Sequence, residues 1–252
     1  MSDRNRNLFI GAILGLAVVV FAVWFLIFRD TAPPEASLED AVGSVSSTTL
    51  GAGGSVSSTT LGTADPAASL DGTWTVDTTV GNGVLDDGSY VGYRVQEELA
   101  TIGAKTAVGR TPALTGSFEF SGTTLTAGEI VADVTQLTSD DSRRDGAMQR
   151  QALETGTFPE ASFTLTEPVD LGAAPAAGES FTADATGELT LHGVTRTVTV
   201  PINGQLVGDT VVIVGRLEIA FADYDIEKPT AGIVLSVDDV GEMEFQLFLA
   251  RS

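Results

Sequence analysis

Residues 181–206 constrain the fold most, because their side chains alternate between apolar and polar. Such alternation places the apolar residues on one face of an extended strand and the polar residues on the other. The pair His192-Gly193 interrupts the alternation, which then resumes from Val194 to Ile202. Two strands joined by a short glycine-containing turn form an antiparallel hairpin with one solvated face. If the rest of the chain repeats this unit, the apolar faces must meet in a sandwich or a closed barrel.

The same alternation recurs through residues 71–252. Apolar residues share one parity within the segments 91–95, 114–120, 130–134, 211–221, 233–237 and 243–249. About eight to ten antiparallel strands in this length favour a single all-β domain. Residues 139–153 lack the alternation and begin with side chains suited to a helix N-cap. We therefore predict one short helix inserted in the β domain, ending before Gly156.

Residues 8–28 form a run of 21 residues without a charge, LFIGAILGLAVVVFAVWFLIF. As a helix this run is about 31 Å long, which matches the roughly 30 Å hydrocarbon core of a bilayer. Arg4 and Arg6 precede it, whereas acidic residues predominate after Arg29, so the positive-inside rule places residues 1–7 in the cytoplasm. We predict an uncleaved signal-anchor helix, a single pass through the cell membrane and an extracytoplasmic position for the rest. A cleaved signal peptide is the alternative.

Residues 29–70 are rich in Ser, Thr, Gly and Ala and contain few large apolar residues. The segment GSVSSTTLG occurs at 43–51 and again at 54–62, as part of an 11-residue duplication. A segment of this composition cannot bury enough apolar surface to offset the entropy of ordering it. We predict a flexible linker with a root-mean-square span of about 35 Å.

Composition excludes several classes of function. The chain has 34 acidic and 13 basic residues, a formal charge of −21 and no cysteine. A surface this acidic repels nucleic acid, and the absence of cysteine excludes disulfides and thiolate chemistry. We predict no metal, no cofactor and no catalytic residue. His192, the single histidine, lies at the predicted turn and is interpreted as structural. A hydrolase or isomerase is therefore a less favoured hypothesis for the function.

Several segments, taken in order, resemble the YceI-like family. They are VGYRV at 91–95, VGR at 108–110, LTGSFEF at 114–120, SDDSRRDGAMQ at 139–149, FPEASFTL at 158–165, GELTLHGVTRTV at 187–198 and EFQLFL at 244–249. The resemblance implies that residues 71–252 form a lipocalin-like antiparallel β-barrel outside the cytoplasm. It also implies that the apolar lumen holds a long-chain isoprenoid or another amphiphilic lipid. The alternative is a non-enzymatic interaction module whose barrel is filled by its own side chains.

In such a barrel the inward-facing residues are the candidate ligand contacts. Small residues on the first strand of the hairpin, Ala183, Ala185 and Gly187, leave space in the lumen. The candidates are Tyr93, Phe118, Phe120, Phe163, Phe181, Ala183, Ala185, Leu189 and Phe245.

The predicted helix also carries Arg143 and Arg144, in a domain with few basic residues. A guanidinium group donates two parallel hydrogen bonds to a phosphate, so either arginine is a candidate for holding a lipid phosphate at the barrel mouth. Pairing with the nearby acidic residues Asp140, Asp141, Asp145 and Glu154 on a solvated helix is the alternative. No feature of the sequence indicates an oligomeric state.

Overall fold

A computed structural model describes residues 32–51, 69–81, 87–100, 102–172, 178–230 and 232–252. The strands are β1 (Gly72–Val76), β2 (Tyr90–Leu99), β3 (Gly103–Thr111), β4 (Leu114–Ser121), β5 (Thr124–Asp133), β6 (Thr138–Ser139), β7 (Glu160–Leu165), β8 (Val169–Asp170), β9 (Ser180–Leu191), β10 (Val194–Val207), β11 (Thr210–Ala220), β12 (Val234–Val237) and β13 (Val240–Arg251). The helices within these ranges are α1 (Leu38–Gly51) and α2 (Ser142–Ala147), with a π-helical turn at Met148–Ala152 and 3-10 turns at Val134–Gln136 and Phe221–Tyr224. The predicted all-β fold with one short helix inserted in it is confirmed.

Eight of the strands close into an antiparallel barrel in the order β1, β4, β5, β7, β9, β10, β11, β13 and back to β1. The short strand β1 completes the ring by pairing Val76 with Leu249 on one side and Trp74 with Phe118 on the other. Beyond β1, the first half of β13 pairs with β2 instead, and the sheet continues through β3 to β6. The barrel wall is therefore closed by β1 at one end and extended by β2 and β3 at the other.

The hairpin predicted at 181–206 is formed by β9 and β10, with Leu191 paired to Val194. His192 and Gly193 make the two-residue turn and both have positive φ, 52° and 74°. This backbone is typical of a type I′ turn, whose twist matches that of the flanking strands. Along β9 the odd-numbered residues are buried or half-buried and the even-numbered ones are mostly exposed, as the alternation predicts.

One end of the barrel is packed solid. Trp74 is buried, donates its indole N–H to the Leu70 carbonyl at 2.8 Å, and meets the ring of Phe120 edge-on at 6.5 Å. Around these two rings pack Phe181, Leu206, Val211 and Leu249. Because these side chains fill the space inside the strands, this end of the barrel is closed.

The helical insertion lies where the sequence predicts it. The side chain of Asp141 accepts a hydrogen bond from the backbone N–H of Arg143 and so caps α2. The π-helical turn continues the segment as far as Ala152, and Leu153 packs against Val134 and Leu137, which follow β5. The insertion therefore covers the end of the barrel that β2 and β3 extend.

The structure departs from the flexible linker predicted over residues 29–70, because residues 38–51 form α1. Ser37 caps this helix by accepting a hydrogen bond from the Asp40 N–H at 3.2 Å and donating one to the Asp40 carboxylate at 2.6 Å. Ser37 and Asp40 have the spacing of a capping box, but the carboxylate binds the Ser37 hydroxyl instead of its backbone N–H. Ala41 and Val45 lie one turn apart, so they share one face of α1.

That face is buried against the outer wall of the barrel. Ala41 and Val45 pack on Val212 and Val214 of β11 and on Phe248 of β13. The structure differs from the linker prediction over this helix because a sparse apolar stripe cannot order a helix alone, yet it suffices when it packs against an apolar wall. The docked segment 32–45 is called the strap below.

The residues before α1 cover an ion pair on the same wall. Glu244 is fully buried and binds Arg110, with distances of 2.8 Å from Nε and 2.7 Å from Nη2 to Oε1. The Ala36 N–H donates to the other carboxylate oxygen at 3.2 Å, and the Pro34 carbonyl accepts from Arg110 at 2.7 Å. The strap is thus held both by apolar contacts and by charged hydrogen bonds.

The predicted cytoplasmic tail at 1–7 and anchor helix at 8–28 lie outside the described residues. Within the described ranges, none of the helices has the length and hydropathy needed to cross a membrane.

Candidate ligand-binding site

The interior between the packed end and the helical insertion contains an apolar cavity of about 190 Å³. On the same measure a single water molecule needs only roughly 10–15 Å³. Its deep wall is formed by side chains from β4, β5, β10, β11 and β13, namely Phe118, Leu125, Val200, Ile202, Ile213 and Leu247. Its opposite end is bordered by the helical insertion and by Phe221, Ile226, Pro229 and Val237. A cavity of this kind can receive one end of an apolar molecule.

The predicted contact residues divide between the cavity and the packed end. The cavity lining contains Tyr93, Phe118, Phe163, Ala185, Leu189 and Phe245. The other three pack in the barrel core without lining the cavity, and they are Phe120, Phe181 and Ala183. All nine side chains face the barrel interior, so the difference between the two groups is their depth along the barrel axis.

Two of the lining rings lie flat against the barrel wall. A Cβ atom on Gly187 would come within 2.4 Å of the Phe163 ring, and one on Gly215 within 2.4 Å of the Phe245 ring. Each glycine therefore makes room for an aromatic ring on a neighbouring strand. The expectation that Gly187 leaves empty space is wrong, since Phe163 fills that space. The lumen stays open because the rings cover the wall instead of pointing toward the barrel axis.

Arg144 lies in the cavity lining at the mouth. Its Nη2 is 2.5 Å from Oε1 of Glu97, and its Nη1 binds Asp140, four residues earlier and just before the N-cap of α2. Within the described residues the buried Nε–H of Arg144 has no hydrogen-bond partner. Burial alone lowers the pKa of Arg144, but the bonds and charges of Glu97 and Asp140 outweigh it and raise the pKa above its usual value. The mouth therefore offers a permanently charged guanidinium with one unused donor.

Arg143 lies elsewhere. Its side chain is 85% exposed and pairs with Asp141 at 3.3 Å, as the ion-pairing alternative predicts. Arg144 also pairs with a nearby acidic residue, yet it reaches the cavity. The two adjacent arginines thus have different surroundings because successive helical residues point about 100° apart.

Glu97 is the mouth residue that the sequence analysis missed. It has the same parity as Val91, Tyr93 and Val95 on β2, and all four line the cavity. A carboxylate at an inward position on an otherwise apolar strand face was the available signal. Met148 and Leu153 also line the cavity, but no pattern in the sequence indicates that the helical insertion covers the lumen.

Tyr93 lies close to the same charges. Its ring lines the cavity, and burial raises the pKa of its hydroxyl, an effect that nearby carboxylates reinforce and Arg144 opposes. The hydroxyl is therefore neutral at physiological pH and can donate or accept a hydrogen bond.

His192 connects the β9–β10 turn to its surroundings. Its Nδ1 is 3.0 Å from the Tyr224 carbonyl, its Nε2 is 3.0 Å from the Glu154 carboxylate, and the Phe158 ring packs edge-on against it. The Nε2 contact holds the turn against Glu154, next to the helical insertion, and the Nδ1 contact holds it against the 3-10 turn at Phe221–Tyr224. Within the described ranges no three acidic or histidine side chains lie close enough together to hold a metal ion.

Known proteins are similar to this chain in sequence and in fold. The chain is 29% identical over 150 residues to a UPF0312 protein of Vibrio parahaemolyticus, which covers 56% of this chain and 75% of the relative. It is 27% identical over 150 residues to a UPF0312 protein of Vibrio campbellii, with the same coverage. Among solved structures it is similar to a polyisoprenoid binding domain from Saccharophagus degradans, with a TM-score of 0.54 and 22% identity, over 71% of this chain and 98% of that one.

The structural likeness agrees with the lipocalin-like architecture described above. The family model for the YceI-like domain matches residues 83–249. This match spans most of the barrel, from the segment before β2 to Leu249, two residues before the end of β13. The chain therefore belongs to the YceI-like domain family.

Proposed function

We propose that this protein binds a long-chain isoprenoid or a similar amphiphilic lipid in the barrel lumen, without catalysing a reaction on it. The observation that supports the proposal is the cavity itself, which is lined mainly by apolar side chains and opens at a mouth that carries a few polar groups. An apolar chain gains about 25 cal/mol for each Å² that it buries. The polyisoprenoid binding named for the Saccharophagus degradans domain agrees with this ligand class.

The filled-barrel alternative describes only one end of this barrel. Trp74, Phe120 and Phe181 fill that end, but the remaining interior is the cavity. Binding is also favoured over hydrolysis or isomerisation by the contacts of His192, because both of its ring nitrogens are occupied outside the cavity lining. A catalytic acid or base must instead reach the reacting group.

The mouth favours a headgroup with an uncharged oxygen over a phosphate. One guanidinium, that of Arg144, is bound by the two carboxylates of Glu97 and Asp140. A phosphate would add negative charge beside them and be repelled. A hydroxyl oxygen can accept the unused Nε–H without that repulsion, so an isoprenoid alcohol fits better than the lipid phosphate expected from the sequence.

Replacing Arg144 with lysine should weaken the binding of farnesol about tenfold. Lysine keeps a positive charge beside Glu97 but lacks the Nε–H, and a hydrogen bond from a charged donor contributes roughly 1.5–3 kcal/mol. Titration with tritiated farnesol measures the affinity. Arg143→Lys is the matched control and should bind farnesol as the unmodified protein does. Equal losses in both variants, or tighter binding of farnesyl phosphate than of farnesol, would contradict the assigned role.

Native mass spectrometry of protein purified from its own host tests the proposed function directly. We expect an adduct that dissociates on activation and that solvent extraction identifies as a lipid with a long apolar chain. A chain that carries no lipid after gentle purification and takes up none when incubated with host lipid extracts would rule the proposal out.

The proposal includes a location outside the cytoplasm, with residues 8–28 holding the barrel to the cell membrane. Two features of the sequence support it: the uncharged run of 21 residues, and the placement of Arg4 and Arg6 before it. A barrel held at the membrane can exchange an apolar ligand with the bilayer.

A further inference from the structure

A patch of exposed apolar side chains lies at the cavity mouth. Ile233, Leu235 and Val240 are 49%, 67% and 37% exposed, and they are the exposed large apolar residues in the part of the chain that the structure describes. Ile233 directly precedes β12, Leu235 lies within β12, and Val240 begins β13. Val237, in the same strand as Leu235, is buried and lines the cavity, because a register shift between Val234 and Ser236 interrupts the alternation of the strand. The three residues, called the rim patch, therefore form an outer edge of the mouth.

We propose that the rim patch contacts the surface of a lipid bilayer, so that the cavity opens against the membrane. The inference rests on the proposed lipid-binding function. Exposed apolar residues grouped at one place commonly mark an interaction site, and amphipathic surfaces enter the boundary between headgroups and acyl chains by burying such residues. An apolar ligand could then pass between bilayer and barrel without its chain being exposed to water.

The segment that precedes the barrel in the sequence is the reason for choosing a bilayer as the partner. Pro34 in the strap is bound by Arg110 and also by Arg94, whose Nη1 is 3.3 Å from the Pro34 carbonyl. Arg94 lines the cavity, and it pairs in register with Glu242, two residues after Val240. The strap is thus fixed to the wall beside the mouth.

The uncharged run ends at Phe28, only six residues before Pro34. Six fully extended residues reach at most about 22 Å. With residues 8–28 in a membrane, the docked strap keeps the wall beside the mouth this close to the bilayer surface. The 35 Å expected for a flexible linker of 40 residues does not apply, because the strap shortens the connection.

The acidic residues around the rim patch indicate that its contact with a membrane depends on apolar burial and not on electrostatic attraction. Asp238 and Asp239 separate Val237 from Val240, and Lys228 binds Asp239 at 2.6 Å. The chain as a whole carries a formal charge of −21. Anionic headgroups would therefore be repelled, whereas zwitterionic phosphatidylcholine, which has no net charge, would not. We expect a contact that persists at high salt, unlike the electrostatic adsorption of a basic surface.

A fluorescent label at the rim patch tests the contact. The chain has no cysteine, so Leu235→Cys provides a unique attachment point for an environment-sensitive fluorophore in the full chain. In phosphatidylcholine vesicles that contain spin-labelled lipid we expect a blue-shifted emission and at least threefold stronger quenching than for the matched control. Asp209→Cys is that control, since Asp209 is exposed in the turn between β10 and β11, at the packed end.

Two outcomes of the labelling experiment would overturn the proposal. Equal quenching at positions 235 and 209 would show that the mouth does not face the membrane. A blue shift at position 235 that appears without lipid, and that grows with protein concentration, would show that a second copy of the chain covers the rim patch.

The rate of lipid transfer provides a second test of the rim patch. The Ile233→Ser/Leu235→Ser variant should take up tritiated farnesol from phosphatidylcholine vesicles at least tenfold more slowly, while its equilibrium affinity for farnesol in solution stays within twofold. Unchanged uptake would contradict the proposal. If the unmodified protein binds no farnesol and also takes up no lipid from host extracts, the proposed function fails, whereas the labelling experiment still decides on membrane contact.

Discussion

Replacing Ala185 with phenylalanine should abolish lipid binding and leave the barrel folded. Ala185 is buried on β9 and lines the cavity, so the added ring enters the space that the ligand would occupy. We expect the affinity for farnesol to fall at least about a hundredfold, which corresponds to about 2.8 kcal/mol. Overpacking a filled core costs about 1–3 kcal/mol. The free energy of unfolding should change less here, because the ring enters an open cavity.

Thr182→Phe is the matched control for this prediction. Thr182 lies on the same strand but is exposed on the outer face, so an identical ring there leaves the lumen unchanged. Its farnesol affinity should equal that of the unmodified protein, as measured by titration, and it should retain any lipid that co-purifies. Normal binding by the Ala185→Phe variant would mean that the ligand does not occupy this cavity.

The second large effect concerns stability. Replacing Arg110 with methionine should lower the free energy of unfolding by about 3–5 kcal/mol, because it leaves the carboxylate of Glu244 buried without its main cation. Glu244 is 0% exposed, and Arg110 also binds Pro34 and lies 4.3 Å from the centre of the Tyr90 ring. Thermal unfolding followed by far-ultraviolet circular dichroism measures the loss.

Two further variants test whether the loss of stability comes from the buried ion pair. Adding Glu244→Met to Arg110→Met should recover much of the stability, since apolar residues can replace a buried ion pair at little cost. Arg196→Met is the control for an exposed pair. Arg196 is half-exposed and lies 3.7 Å from Asp223, so its loss should cost less than about 1 kcal/mol. A similar loss from Arg110→Met and Arg196→Met would show that burial of the pair does not matter.

The hairpin and the strand pattern were accessible to sequence reasoning because side chains in a strand alternate with a fixed period of two. On β9 and β10 this period predicted both the inward face and the turn at His192. The same period, extended along β2, would have identified Glu97 as an inward carboxylate. The N-terminal cap of α1 could also have been predicted from the sequence, since Ser37 and Asp40 have the spacing of a capping box.

Depth along the barrel axis was not accessible in this way. Phe118 and Phe120 share a parity on β4, yet Phe118 lines the cavity and Phe120 packs against Trp74. Periodicity assigns a residue to a face, but the stagger between neighbouring strands decides which residues meet at one level of the barrel. The position of Arg144 at the mouth likewise depends on where the helical insertion packs.

The sequence by itself determined the inward and outward faces of the strands, the hairpin at 181–206 and the site of the helical insertion, because each depends on residues close together in the chain. Tertiary structure decided the rest. It divided the lumen into a packed end and a cavity, it brought Glu97 to Arg144, and it converted part of the expected linker into a docked helix. These features depend on contacts between residues far apart in sequence, and the free energy of such contacts exists only after the barrel has closed.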